Sequence, residues 1–296
     1  MKRPIYAGTD KALVRLRSGE YICVDTNALD SIDYLLGWEM ERDFLPVFRS
    51  FLQENSVVLD IGANFGLYTA ISATLVKDRG RIYCFEANPH TFELLKRTLY
   101  ANRLAQHPNV TAVNALVSDS TGRGLLHYIP EFLGGATMTD IGQWGEARRS
   151  VELDMIAIDQ FLPNDMAVDL VKIDVEGHEP LVMRGMQNTI RRSPNIRIFL
   201  EFVEAFLEHT VSADRFIEEI DSLGFRICRV LPGARLELIE RGDPLHGANF
   251  CLLTRTPEKD LAHAHRAAAR LRARLARYFR RLNAKWDNYR HALYRA

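Results

Sequence analysis

The chain reads as an α/β protein built on a mostly parallel sheet with helices on both faces. Three observations predict this. Strand-like apolar runs alternate with helical stretches from residue 57 to residue 253. The first run, Val57-Val58-Leu59, leads into Asp60-Ile61-Gly62-Ala63-Asn64-Phe65-Gly66, which reads as a buried strand, a tight turn and a helix start. The run at 81–85 ends in a second acid, Glu86, twenty residues after Gly66. In open α/β sheets, ligands gather at such strand ends.

Taken in order, residues 12–17 and 21–24 form a predicted hairpin about Ser18-Gly19. A helix is expected over about 38–53, where Trp38, Met40, Phe44, Val47, Phe48 and Phe51 repeat at helical spacing. Strands follow at 57–61, 81–85, 110–117, 168–174, 196–202, 225–231 and 249–253. Helices are expected near 66–77, 90–102, 179–191 and 212–223. Asn88-Pro89 should stop a strand and start a helix. The interval 119–165 breaks the alternation with six glycines and with His127, Tyr128, Phe132 and Trp144 among them, and is expected to be a strand-and-loop cover over the site. Three units result: an N-terminal hairpin and helix (1–55), a central domain (56–256) holding that insertion, and a tail (257–296).

With 47% hydrophobic and 26% charged residues, the composition is that of an ordinary soluble protein. The start lacks an apolar run of signal-peptide length, and no stretch is long enough to span a bilayer, so the cytoplasm is the expected location. Cys23, Cys84, Cys228 and Cys251 are scattered. They are expected to fill core space rather than form disulfides or a zinc site. The net charge of zero conceals a division. Residues 259–296 hold eleven Lys/Arg against Asp260 and Asp287, leaving an acidic body of 27 basic and 36 acidic residues.

The glycine turn differs from the dinucleotide fingerprint: the spacing is G-x-x-x-G, with an acid before it. A carboxylate there repels a pyrophosphate but suits a positively charged ligand, such as the ammonium and sulfonium of S-adenosylmethionine. Gly62 is expected to let the backbone approach a ligand, and Gly66 to let the next helix pack closely. Glu86 is placed to accept both hydroxyls of a ribose. Asn64 either points at the ligand or caps the helix. A third constellation runs Lys172-Ile173-Asp174-Val175-Glu176-Gly177-His178-Glu179. Alternation puts Lys172 and Asp174 on one strand face, with Asp174 at the ligand end. Glu179-Pro180 reads as a helix start. Glu201 ends the next strand and should stand beside Asp174. Metal binding by Asp174, Glu176, His178 and Glu201 is chemically allowed, but the spacing is not diagnostic, and the reading adopted is metal-free.

The run from Val57 to Gly66, the segment Phe85-Glu86-Ala87-Asn88-Pro89 and the run from Lys172 to Glu179 together resemble the FkbM family of S-adenosylmethionine-dependent methyltransferases. The similarity covers about 38–206 in the family's order, and the stretches 114–119 and 153–161 resemble its connecting segments. The resemblance implies a Rossmann-like class I methyltransferase with a seven-stranded sheet. It also implies O-methylation of a hydroxyl on a sugar, glycan or other natural-product acceptor. Asp60, Gly62 and Gly66 match the cofactor loop and Glu86 the ribose acid. Asn114 is an adenine-side candidate, and Asp174 and Glu176 match the acceptor-side acids. Methyl transfer needs in-line orientation and removal of a hydroxyl proton. The acids are ranked first for necessity, and His178, with its ordinary pKa near neutrality, for tuning the rate.

Beyond the similarity, the tail from His263 lacks Gly and Pro. Leu275, Phe279, Leu282, Trp286, Tyr289 and Leu293 recur at spacings of three and four between arginines. This is the pattern of a basic amphipathic helix. It can dock on the acidic body, drive self-association, or meet an anionic inner-membrane surface or glycan carrier. Nucleic acid is disfavoured as a partner, since no reading motif is present and the body is acidic. The alternatives to a small-molecule or glycan methyltransferase are a non-catalytic cofactor-binding scaffold and an RNA methyltransferase. Turnover with an acceptor panel and retention on nucleic acid would separate them.

Overall fold

The computed structural model describes residues 4–36, 43–77, 79–138, 148–240, 243, 245 and 248–270. Three short strands come first: β1 (Ile5–Tyr6), β2 (Lys11–Arg15) and β3 (Tyr21–Asp25), joined as an antiparallel sheet. The main sheet uses β4 (Val57–Ile61), β5 (Arg81–Phe85) and β6 (Val110–Val113). A second sheet takes β7 (Leu116–Val117), β8 (Gly122–Ile129), β9 (Phe132–Thr137) and β10 (Arg149–Ile156). The main sheet then resumes with β11 (Leu170–Ile173), β12 (Arg197–Val203), β13 (Arg226–Leu231), β14 (Arg235–Leu238) and β15 (Ala248–Thr254).

The main sheet runs β14-β13-β15-β12-β11-β4-β5-β6. The five strands from β12 to β6 pair in parallel, and β15 enters antiparallel between β12 and β13. Chain order moves outward from β4 to one side and from β11 to the other, so a topological switch point lies between β4 and β11, where ligands dock. Both strands are almost wholly buried, as parallel strands covered on two faces must be.

Each face has its own core. On one side α1 (Ile32–Leu35), α2 (Phe44–Phe51) and α3 (Leu67–Leu75) pack with the N-terminal sheet. There, edge-on aromatic pairs join Phe48 to Tyr68 at 4.8 Å and Phe44 to Phe199 at 5.0 Å. α4 (Pro89–Ala101) carries the N-terminal sheet directly, because Thr98 Oγ1 accepts from the Cys23 amide at 2.8 Å. On the other face lie α5 (Ile158–Phe161), α6 (Glu179–Arg184), α7 (Gln187–Arg192), α8 (Glu204–Leu207) and α9 (Ala213–Ser222).

All seven strands expected from the sequence are present, and β14 adds an eighth through a hairpin with β13. The stretch 110–117 is not one strand. It breaks at Asn114-Ala115, and β7 leaves to pair with β10. The expected helix 179–191 is likewise two, α6 and α7. Gly185 ends the first, and a Cβ there would stand 2.0 Å from the Ser118 carbonyl oxygen. The helix expected from 38 is described from Phe44 onward, and 38–42 lie outside the described residues. All four cysteines are buried and free.

The tail divides. Residues 257–270 form a helix whose buried positions are 257, 260, 264 and 268, one helical stripe. Arg197 donates two hydrogen bonds to buried Asp260, at 2.9 and 2.7 Å, while the His263 ring stacks on Phe51 at 4.8 Å. This part belongs to the body, which corrects a boundary at 257. The remaining stretch, 271–296, lies outside the described residues. No described helix is long and apolar enough to cross a membrane.

Candidate active site

A cleft of about 610 Å³, open solvent included, lies at the carboxyl ends of β4, β5 and β11. Gly62, Asn64, Glu86, Asp174, Glu176 and His178 line it, and Leu126, Leu133, Gly134, Ala136 and Met138 of the second sheet and its following residue close it. The glycine turn is forced by packing. At Gly62 (φ +75°) a Cβ would sit 1.8 Å from the Asp174 carbonyl oxygen, so the turn approaches the neighbouring strand end closely. Gly66 (φ +89°) starts α3, and a Cβ there would meet Leu95 of α4 at 2.6 Å, in line with close helix packing.

Glu86 is the anchor of this turn. Its Oε2 accepts the Asn64 amide and its Oε1 the Asn88 amide, both at 2.8 Å. Burial pushes the Glu86 carboxyl up to about 7 against the pull of those two amides. Each oxygen keeps a lone pair, so the carboxylate can still receive the two hydroxyls of a ribose. Asn64 lines the cleft in a left-handed conformation (φ +50°). Its Oδ1 takes the Phe65 amide at 2.8 Å, and Gly66 is the N-cap of α3, so Asn64 is not the cap.

Three expected cofactor residues, Asp60, Gly66 and Asn114, are not in the cleft lining. Asp60 is fully buried; its Oδ2 accepts from Thr69 Oγ1 at 2.5 Å and so ties β4 to α3. Burial raises its carboxyl, with Lys172 pulling the other way. Asn114 spends its amide on the carbonyls of Glu86 and Ala87, both at 2.8 Å. It braces the loop after β5, where the strand breaks.

On the opposite wall, parallel pairing of β11 with β12 sets Asp174 beside Glu201, as expected. Single carboxylate oxygens of Asp174, Glu176 and Glu201 all lie within 4.8 Å of one another. Burial, then repulsion from Asp174 and neighbouring acids, holds the Glu176 and Glu201 carboxyls far above the ordinary range, and Glu201 shares a hydrogen bond with Asp174. Lys172 answers part of this charge. Its Nζ lies 3.0 Å from Asp174 Oδ2 and donates to the Gly62 carbonyl at 2.5 Å, linking the two walls. His178 stands apart from the acid trio. It is buried, its Nε2 meets Ser118 Oγ at 3.0 Å, and burial lowers its pKa to about 4. It is therefore neutral near pH 7 and a weak base. The three acids alone, without His178, have the spacing of a cation site.

The turn at Glu176 is strained: φ is +53° at Glu176 and +93° at Gly177. Thr137 Oγ1 donates to the Glu176 carbonyl at 2.8 Å, and Thr210 Oγ1 to the Gly177 carbonyl at 2.9 Å. Glu179 Oε1 accepts the Val175 amide at 2.9 Å, confirming the helix-start role. Asp30, from the N-terminal region, takes the Gly134 amide at 2.9 Å and so holds β9 over the cleft. Sequence reasoning missed Thr137, Thr210, Ser118 and Asp30. Each acts across 39, 33, 60 or 104 residues of chain, with no local pattern to mark it.

The family model for the methyltransferase FkbM domain matches residues 60–227, the span that builds both walls. The chain belongs to the FkbM methyltransferases. S-Adenosylmethionine is the cofactor that membership brings. Among curated relatives, the hexuronic acid methyltransferase AglP of Haloferax volcanii is 24% identical over 153 residues, 51% of this chain and 58% of that protein. The methyltransferase sdnD of Sordaria araneosa is 26% identical over 163 residues, covering 46% of this chain and 62% of that one. The FkbM chain thus spans about three-fifths of the length of the curated relatives it matches. A crystal structure of an FkbM methyltransferase from Methylobacillus flagellatus aligns at 16% identity and TM-score 0.43, over 70% of this chain and 47% of the other.

Proposed function

We propose that the chain is an S-adenosylmethionine-dependent O-methyltransferase acting on a hydroxyl of a sugar, glycan or other natural-product acceptor. The observation that carries this reading is the meeting, in one cleft at the switch point, of an amide-anchored acid on the cofactor side with a trio of acids opposite. Donor chemistry supports it: Glu86 suits a ribose, and the surrounding negative charge suits a sulfonium ligand. When bound, the cofactor supplies an electrophilic methyl group.

The protein's share is orientation and proton management. Asp174, steadied by Lys172, accepts the hydrogen bond of the acceptor hydroxyl and takes its proton as the oxygen becomes nucleophilic. Glu201 donates to Asp174 and fixes its orientation. Glu176, held by Thr137, positions the acceptor. Leu126, Leu133 and Met138 exclude water from the cleft. The resemblance to AglP supports a sugar-type acceptor. Transfer of labelled methyl to a panel of hydroxylated glycosides and small molecules tests the reading. Asp174→Asn and Glu176→Gln should lose turnover yet keep affinity for S-adenosylhomocysteine. Label recovered only on nitrogen or on RNA would refute it.

A further inference from the structure

Apart from Asn64 and His178, the side chains that line the cleft are acidic or apolar. Glu86, Asp174 and Glu176 supply the acids, and His178 is neutral. Among the described lining residues there is no Lys or Arg. The cation behind them, Lys172, is committed to Asp174 and to the Gly62 carbonyl. Of the arginines on or beside the covering sheet, Arg123 lies on Asp154 and Glu152, Arg148 Nη2 lies 2.7 Å from His127 Nδ1, and exposed Arg149 is not in the cleft lining.

We infer that the acceptor is neutral or ammonium-bearing around its reacting hydroxyl, and that acceptors with a carboxylate or phosphate there are rejected. The inference rests on the O-methyltransferase reading and narrows its substrate class. An anionic acceptor would meet the Asp174 carboxylate and would be desolvated by Leu126, Leu133 and Met138 without a cation in return. An ammonium group would meet the oxygens of Asp174, Glu176 and Glu201, which lie within 4.8 Å of one another. The hexuronic acid acceptor in AglP's name is therefore not expected to carry over to this chain.

The field can be read without knowing the acceptor. Sinefungin carries an ammonium where S-adenosylmethionine carries its methyl-sulfonium, whereas S-adenosylhomocysteine is uncharged there. Calorimetry on the full chain should find sinefungin bound about tenfold or more tighter than S-adenosylhomocysteine, a difference that opposite charges at close range readily supply. Asp174→Asn should shrink that ratio while leaving S-adenosylhomocysteine affinity near wild type. Equal binding of the two by the wild-type chain, or a ratio unmoved in Asp174→Asn, overturns the inference. In turnover, a hexoside or a 2-amino hexoside should exceed the matching hexuronide by about tenfold in kcat/KM. A hexuronide as the preferred acceptor, with or without added magnesium, overturns it too. Failure of the wild-type chain to bind S-adenosylhomocysteine at all strikes the methyltransferase reading instead.

Discussion

Replacing Glu86 separates what this residue does for the cofactor from what it does for the fold. Its carboxylate takes two backbone amides, from Asn64 and Asn88, at 2.8 Å each. Charge-assisted bonds of this kind contribute about 1.5–3 kcal/mol apiece. Burial outweighs them: even with both amides the carboxyl moves from 4.5 to about 7, a net ~3 kcal/mol against the ionised form. Glu86→Gln removes that penalty but sets an NH2 group against one amide, and the two changes nearly offset above neutral pH. Glu86→Gln should therefore change stability little there, about 0–2 kcal/mol. It leaves one acceptor oxygen and turns an NH2 against the other amide, so the Asn64 turn loosens. Cofactor affinity should fall about tenfold or more.

The pH dependence gives the sign. Between about 4.5 and 7 the folded protein holds the Glu86 proton while the unfolded chain releases it, so this carboxyl lowers stability as pH rises through that window. The amide in Glu86→Gln does not titrate. Wild type should thus lose ~3 kcal/mol relative to the variant between pH 4.5 and pH 7, which urea titrations at both pH values would measure. Taking the difference cancels the opposite contribution of His178, whose lowered pKa makes stability rise with pH below about 6.5. A pH-independent difference between the two proteins, or unchanged affinity for S-adenosylhomocysteine by calorimetry, would refute the account of Glu86.

Other changes test other joints. Lys172→Met should leave the Gly62 carbonyl and Asp174 unpaired beside each other, costing about 3 kcal/mol and most of the turnover; an active, stable Lys172→Met protein would remove Lys172 from its linking role. Gly62→Ala must place a Cβ against the Asp174 carbonyl in a left-handed backbone, so thermal unfolding should show a loss of about 2–4 kcal/mol, and an unshifted transition would contradict the packing described. A chain ending at residue 270 should fold and bind S-adenosylhomocysteine, whereas one ending at 256 should be less stable by about 3 kcal/mol because Arg197 loses Asp260. Equal stability of the two truncations would show that the 257–270 helix adds nothing to the body.

The parallel sheet was legible in the sequence because each strand is a short apolar run with its own boundary signal, such as Asn88-Pro89 after β5 or Gly177 after β11. The positions of Glu86, Asp174 and Glu201 were legible for the same reason, since strand ends in a parallel sheet converge by topology. The failures share a cause as well. Asn114 and Asp60 have the right types at the right strands, but their side chains are taken by loop carbonyls and by Thr69, partners that strand periodicity does not reveal. Residues 110–117 looked like one strand because the apolar pattern continues through the point where β7 changes sheets. His178 has a suitable ordinary pKa, but only the structure shows the burial that removes it from titration near pH 7.

The division of the tail follows from the same competition between local pattern and tertiary partner. Composition marks 259–296 as one basic stretch, yet its first acid, Asp260, has its carboxylate buried against Arg197 at the start of β12, and Ala264 and Ala268 lie in the core. Small and acidic residues at that helical spacing dock on the body; the aromatic residues of the tail begin only after residue 270. Arg197 opens β12, while the cleft lies at the opposite, carboxyl end of the parallel strands. A docking helix at the amino end of the strands can therefore be shortened or bound without touching Glu86 or Asp174.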